Sequence, residues 1–150
     1  MALVTALMAT LMMLALGAGM TLTTMTERAI AANHRDGIQT LYAAEAGIDL
    51  AISRLRATPD WRAVTTAANG TVFLQGSLAD LLQTSAVDAR LGITVSVSAD
   101  PNGDEDVLLL QSSAAVPGGS RRNVEVMIRR GAAGEGSTTR VIETLSWRER

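Results

Sequence analysis

His34 is the only histidine of the chain, and it stands among Asn33, Arg35 and Asp36. A lone imidazole in charged company reads as a surface residue rather than a ligand. No Ser/His/Asp set, HExxH helix or Walker loop accompanies it. The chain has no cysteine, so disulfides, thiolate metal sites and thiol nucleophiles are all excluded. The richest oxygen cluster is DPNGDED at 100–106, where Asp100, Asn102, Asp104 and Asp106 recur at every second position. Calcium takes such ligands. However, Gly103 is misplaced for an EF-hand and no glutamate follows at the required distance, so the stretch reads as a solvated turn. No metal or other cofactor is expected, and no enzyme.

The remaining charged groups point to contacts rather than catalysis. Arg121–Arg122 and Arg129–Arg130 bracket one segment. Capture of nucleic acid would need a wider basic surface interleaved with aromatic platforms. Two Trp, one Tyr and one Phe at a net charge of −2 do not provide that, so no nucleic-acid partner is expected. All the basic residues are Arg, which by itself identifies no binding function. Asn69-Gly70-Thr71 matches a glycosylation sequon, though Asn-Gly is first a turn. Glu45 falls between Leu41 and Ile48 in an alanine-rich run, either bending out to solvent or meeting Arg28, Arg35 or Arg54 of a neighbouring subunit.

The elements that carry these groups begin with MALVTALMATLMMLALGAGMTLTTMT, which holds no charge before Glu27. It is too long for a signal-peptide core and lacks a basic start. It exceeds the ~20 apolar residues that span a bilayer. Small residues, among them Gly17 and Gly19, allow close helix approach. Each glycine also costs about 1 kcal/mol relative to alanine in a helix, so the pair serves either as packing notches or as a place where the helix loosens. From Glu27 onward, Ile38, Leu41, Tyr42, Ile48, Ile52 and Leu55 form an amphipathic stripe. Gly37 is a weak point within it and Pro59 a stop. One helix from residue 1 to about 56 would run roughly 80 Å. Its first half needs lipid or other subunits for cover.

Beyond Pro59 the pattern turns to strands. ITVSVSA (93–99), DVLLLQSSAAV (106–116) and RRNVEVMIRR (121–130) alternate, and the last turns Val124, Val126 and Ile128 inward. TVFLQ (71–75) and the stretch from Val141 to Trp147 add outer strands. SLADLLQTSAVDARLG (77–92) suggests a short helix or irregular turn, PGGS (117–120) a turn, and GAAGEGST (131–138) a loop. The expected fold is α+β. One long N-terminal helix packs its C-terminal half on a small antiparallel sheet, with an apolar tail at 1–26, an amphipathic half at 27–56 and a head at 57–150.

ALVTALMATLMMLALGAG, then TERAIAAN, then LYAAEAGIDLAISRL together resemble the N-terminal region of PilX-type minor pilins. They are also similar to K-type pseudopilins of type II secretion. The resemblance covers about residues 1–56 and carries an AN-x-R-like junction (Ala32, Asn33, Arg35) and AAEAG at 43–47. It implies a structural subunit of a type IV pilus or pilus-like filament, built by lateral packing of N-terminal helices. The partners implied are itself or other pilins, the inner membrane before assembly, a prepilin peptidase and the assembly machinery. The location implied is the inner membrane first, then a cell-surface filament or periplasmic pseudopilus. Leader cleavage would make Met1 the mature, often methylated, N-terminus. Most pilins carry a glutamate, paired with a neighbour's terminal amine, at the position that Thr5 holds here. Its loss leans toward a minor or tip subunit, while the short chain leans toward a repeated one. Glu27 could stand in for that glutamate by lying level with Met1 of another subunit, or could mark the membrane boundary. The alternative is a monomeric membrane-anchored extracytoplasmic binding module.

Overall fold

The computed structural model describes residues 1–58, 60–65, 71–100, 102–131 and 141–149. Helix α1 runs from Ala2 to Ala57 and is followed by a single helical turn, α2, at Arg62–Thr65. Then come β1 (Thr71–Ser77), α3 (Leu78–Leu82), β2 (Gly92–Ala99), β3 (Val107–Ala115), β4 (Arg121–Arg130) and β5 (Ile142–Glu149). The chain divides into two units, Met1–Arg35 and Asp36–Arg150. The first unit is helix alone.

In the second unit the strands form one antiparallel meander in the order β1-β2-β3-β4-β5. Period-two alternation puts one set of side chains on the helix side of the sheet. Ile93, Val95 and Val97 of β2, Leu108, Leu110 and Ala114 of β3, and Val124, Val126 and Ile128 of β4 are all buried there. Gly103 (φ 82°) and Gly118 (φ 70°) turn the chain between β2 and β3 and between β3 and β4. Both φ values lie where a side chain is disfavoured. The fold class expected from the sequence is the one observed: a long N-terminal helix whose later part packs on an antiparallel sheet. Turn α2 was not anticipated. The Pro59 stop, the sequon's Asn69-Gly70 and most of the 131–138 loop lie outside the described residues.

The helix seam agrees with the expected stripe at Ile48 and Leu55 and differs from it elsewhere. The buried residues are Gly37, Thr40, Ala43, Ala44, Gly47, Ile48, Ala51 and Leu55. Ile38 and Tyr42 are exposed, and Leu41 and Ile52 only partly covered. The physical reason is distance. The sheet presents a dense layer of branched side chains, and the helix reaches van der Waals contact by turning small residues toward it. Gly47 shows the limit. A Cβ there would stand 2.8 Å from Ser112 Oγ and 2.9 Å from Ile93 Cγ2. Ser112 Oγ is buried and finds no hydrogen-bond partner among the described residues. Thr40, also buried, meets its needs by donating to the Asp36 carbonyl at 2.8 Å and lies 3.0 Å from the Ser120 hydroxyl.

Two local devices close the ends of these elements. Arg54 and Arg56 sit in the last turn of α1, where the helix dipole favours cations. Trp61, buried, donates its indole N–H to the Leu55 carbonyl at 3.2 Å. That carbonyl also accepts from the Thr58 N–H at 3.1 Å, so a carbonyl in the last turn of the helix is well satisfied. Arg130 lies over the Trp61 ring, 5.3 Å from its centroid. At α3, the Ser77 hydroxyl accepts from the Asp80 N–H at 3.1 Å and donates to its carboxylate at 2.6 Å, a reciprocal N-cap.

Candidate functional site

The first unit presents a surface that water does not favour. Leu3, Met8, Leu11, Met12, Leu14 and Met20 are all well exposed, as is every other large apolar residue up to Ile30. Leu and Met are good helix formers, so the helix needs no tertiary support to be defined by sequence. This stretch of α1 is long and apolar enough to cross a bilayer.

Its polar atoms are already spoken for. Thr5 and Thr10 donate their hydroxyls to the carbonyls of Ala2 and Leu7, each at 2.9 Å. Thr21 and Thr23 donate to the carbonyls of Gly17 and Gly19 at 2.7 and 3.0 Å. Thr24 and Thr26 donate to Met20 and Leu22 at 2.9 and 3.0 Å. Each hydroxyl proton is therefore satisfied within the helix, which is what a spanning or bundled segment requires. Gly17 and Gly19 meet nothing within 4 Å. Gly19 lines a shallow groove with Ala15, Leu16, Met20, Thr23, Thr24 and Glu27.

The structure brings Gly19 and Glu27 to that one groove, and it sets Thr5 one turn from Met1, whose carbonyl accepts the Thr5 N–H at 3.3 Å. Glu27 and Arg28 are exposed and make no ion pair among the described residues. His34 is exposed as well. Glu45 belongs to the second unit, at the margin of the buried seam and half-covered.

The oxygen-rich turn works as backbone scaffolding. Asp104 Oδ1 accepts the Asp106 N–H at 3.0 Å, and Asp100 Oδ1 accepts from the Asn102 amide at 3.3 Å. Asp104 faces Arg129 at 3.9 Å, and Glu105 is paired with Arg62. The Glu105 carboxylate raises the Arg62 guanidinium above its ordinary value, chiefly through their hydrogen bond. Among the described residues no three His, Cys, Asp or Glu side chains converge as a metal site. Arg122, Arg129 and Arg130 of the basic pairs are engaged inside the molecule too. Arg122 meets Glu149 at 3.2 Å, and Arg130 covers Trp61.

Two features escaped sequence reasoning. One is Trp61, whose only sequence signal was its place just after the helix stop. The other is a polar trough on the sheet face away from the core, lined by Thr94, Ser96, Gln111, Ser113, Asn123 and Glu125. Gln111 donates to Glu125 across it at 3.2 Å. The alternating polar positions of β2, β3 and β4 were its signal.

A helix with an exposed, uncharged first stretch and a later stretch packed on an antiparallel meander is consistent with an α+β pilin-like fold. Residues 1–49 match the family described as PilX N-terminal, a family of type IV pilus assembly. The match covers a third of the chain and lies wholly on α1, and there it bears out the resemblance read from the sequence. No curated protein and no solved structure matches the chain. The family points to a structural subunit of a pilus that associates with other pilins, rather than to an enzyme.

Proposed function

We propose that this chain is a structural subunit of a type IV pilus or pilus-like filament, held together by lateral packing of its N-terminal helices. One observation carries the reading. Residues 2–26 form an uncharged helix whose apolar side chains are all exposed and whose threonine hydroxyls are all returned to the backbone. Such a surface is stable in lipid before assembly and against like helices afterwards. In this reading residues 1–26 are the anchor and filament core, 27–56 the amphipathic half and 57–150 the outer head. Gly17 and Gly19 are packing notches, and Glu27 with Arg28 marks the emergence from the apolar layer. Processing by a prepilin peptidase and methylation at Met1 belong to the same reading, as does a path from the inner membrane to the cell surface. Thr5 favours a minor or initiating subunit, and the short head favours a repeated one.

Electron microscopy of filaments sheared from cells, resolved to side chains, tests this. A shaft built of this chain makes it a repeated subunit, and its presence only at an end makes it a tip subunit. The trough at Thr94, Gln111 and Asn123 favours the second reading, a monomeric anchored binding module. That reading predicts a chain absent from every filament, with binding activity retained after truncation to Glu27.

A further inference from the structure

β5 is the last strand of the sheet, so one of its edges pairs with β4 and the other is bare. A bare edge is a template for another strand unless charges or a bulge guard it. β5 has both, and together they do the reverse of guarding. All of its residues but Ile142 are exposed, with Leu145 at 42% and Trp147 at 47%. Leu145 is an extra residue in the ladder, because Ser146 lies opposite Met127 and Thr144 opposite Ile128. Without it, Glu143 and Arg148 would point to opposite faces. With it, both stand on the face away from α1, Glu143 opposite Arg129 and Arg148 opposite Glu125. Thr144 and Trp147 stand on the helix face, opposite the buried Ile128 and Val126. Neither Glu143 nor Arg148 makes an ion pair among the described residues.

The strand therefore presents matching faces from either end. We infer that β5 of one copy pairs antiparallel with β5 of a second copy, centred between Leu145 and Ser146, and joins the two sheets into one. In that register Glu143 faces Arg148, Thr144 faces Trp147 and Ile142 faces Glu149, each pair occurring twice. The members of each pair already lie on one face of the sheet, as direct antiparallel partners must. Charge then alternates across the junction, from Arg129 to Glu143 and on to Arg148 and Glu125 of the second copy. A slip of one residue sets Glu143 on Glu149 in one direction and on Trp147 in the other, so the charges also fix the register. The opposite edge, β1, offers no such match, because Thr71–Ser77 carries no charge. The contact is isologous and closes at two copies. It is thus separate from any packing that extends a filament. It turns the two strands end for end, so it joins heads carried on separate membranes or filaments.

The pair needs only the sheet unit, so its failure leaves the filament reading standing, and the loss of that reading leaves the pair. The full-length chain, held at one copy per lipid nanodisc, keeps the tails apart and leaves the heads free to meet. Sedimentation should show discs joining in twos as concentration rises. Glu143→Arg sets Arg on Arg twice in the junction, and Arg148→Glu sets Glu on Glu twice. Each alone should weaken pairing about tenfold. An equimolar mixture of the two variants should pair as the parent chain does, since every cross-strand charge in a mixed dimer again meets its opposite. A variant that merely disorders its own edge would not recover on mixing. The chain has no cysteine, so Thr144→Cys and Trp147→Cys discs, mixed and oxidised, should give a disulfide-linked dimer that neither gives alone. Discs that stay single at every concentration overturn the proposal, as do species larger than two discs. Pairing that survives both single reversals, or reversals that mixing does not rescue, overturns β5 as the site.

Discussion

Two stretches of α1 follow one backbone geometry and solve opposite problems. In residues 2–35 the large apolar side chains are exposed and Gly17 and Gly19 have open space beside them, while in 36–57 Gly37, Ala43, Ala44, Gly47 and Ala51 are buried with Ile48 and Leu55, and the large Ile38 and Tyr42 are exposed. Glycine makes the contrast plain. A Cβ at Gly17 or Gly19 would meet nothing within 4 Å, whereas one at Gly47 would crowd Ser112, Ile93 and Val95. A small residue in a helix is thus no sign of one role. In the packed stretch it lets the helix reach a sheet that is already present, and in the exposed stretch it keeps a surface available.

The contrast would break most visibly at Trp61, which ends the packed stretch. Trp61→Ala should destabilise the sheet unit by about 3–5 kcal/mol, from lost burial and the cavity left behind. Amide exchange of β3 and β4 in the full chain, held in detergent, reads this directly. Trp61→Phe keeps most of the burial and drops only the bond to the Leu55 carbonyl, so it should cost about 1 kcal/mol. A Met12→Ala change in the exposed stretch should leave the same amides untouched.

Gly47→Ala comes next. Overpacking costs about 1–3 kcal/mol, and the gain in helix propensity returns about 1 kcal/mol. A net loss of about 1 kcal/mol is expected in the exchange of β2 and β3. The same substitution at Gly19 should leave the sheet amides unchanged, because a Cβ there meets nothing within 4 Å. Equal shifts in sheet exchange for Gly19→Ala and Gly47→Ala would mean that α1 does not divide into an exposed and a packed stretch.

Much of this was legible in the sequence. Strict alternation in ITVSVSA and RRNVEVMIRR located β2 and β4, and the uncharged run before Glu27 located the exposed stretch. The seam of α1 was placed correctly at Ile48 and Leu55 but not at Ile38 and Tyr42, because periodicity was scored on large apolar residues. Ile38 and Tyr42 satisfy a helical period as well as Ala43, Ala44 and Gly47 do, and only the sheet decides which face is inside. The roles of Trp61 and Ser112 depend on partners far away in sequence, so no local pattern could disclose them. Within the candidate assembly surface, the apolar character was readable, but the return of each threonine hydroxyl to the helix was not.

Ser112 gives a smaller effect of opposite sign. Its hydroxyl is buried without a partner among the described residues, a condition that costs about 1–3 kcal/mol. Ser112→Ala should therefore stabilise the sheet unit by about 1 kcal/mol. It also withdraws the atom nearest to a Cβ at position 47. The double variant with Gly47→Ala should then lose less than the separate effects predict, a coupling of about 0.5 kcal/mol or more. Strict additivity would mean that Ile93 and Val95, not Ser112, set the approach of the helix.

The smallest effect belongs to the surface of the second unit, where solvent rather than packing decides. Asp88 accepts the Arg90 backbone N–H at 2.9 Å and pairs with its guanidinium at 2.9 Å, just before β2. The Arg90 side chain, then its backbone N–H, holds the Asp88 carboxyl below its ordinary value. A carboxyl depressed by folding stabilises the fold above its unfolded pKa, and that contribution is lost as pH falls through the lower, folded value. Asp88→Asn should therefore lower the denaturation midpoint slightly at neutral pH. The gap to the parent chain should narrow as the medium is acidified and nearly close once the carboxyl is protonated in both states. High salt should shrink the neutral-pH gap, since both partners face water. A gap that persists in acid would assign the role of Asp88 to turn geometry, since its backbone carbonyl also accepts the Leu91 N–H at 3.1 Å where β2 begins.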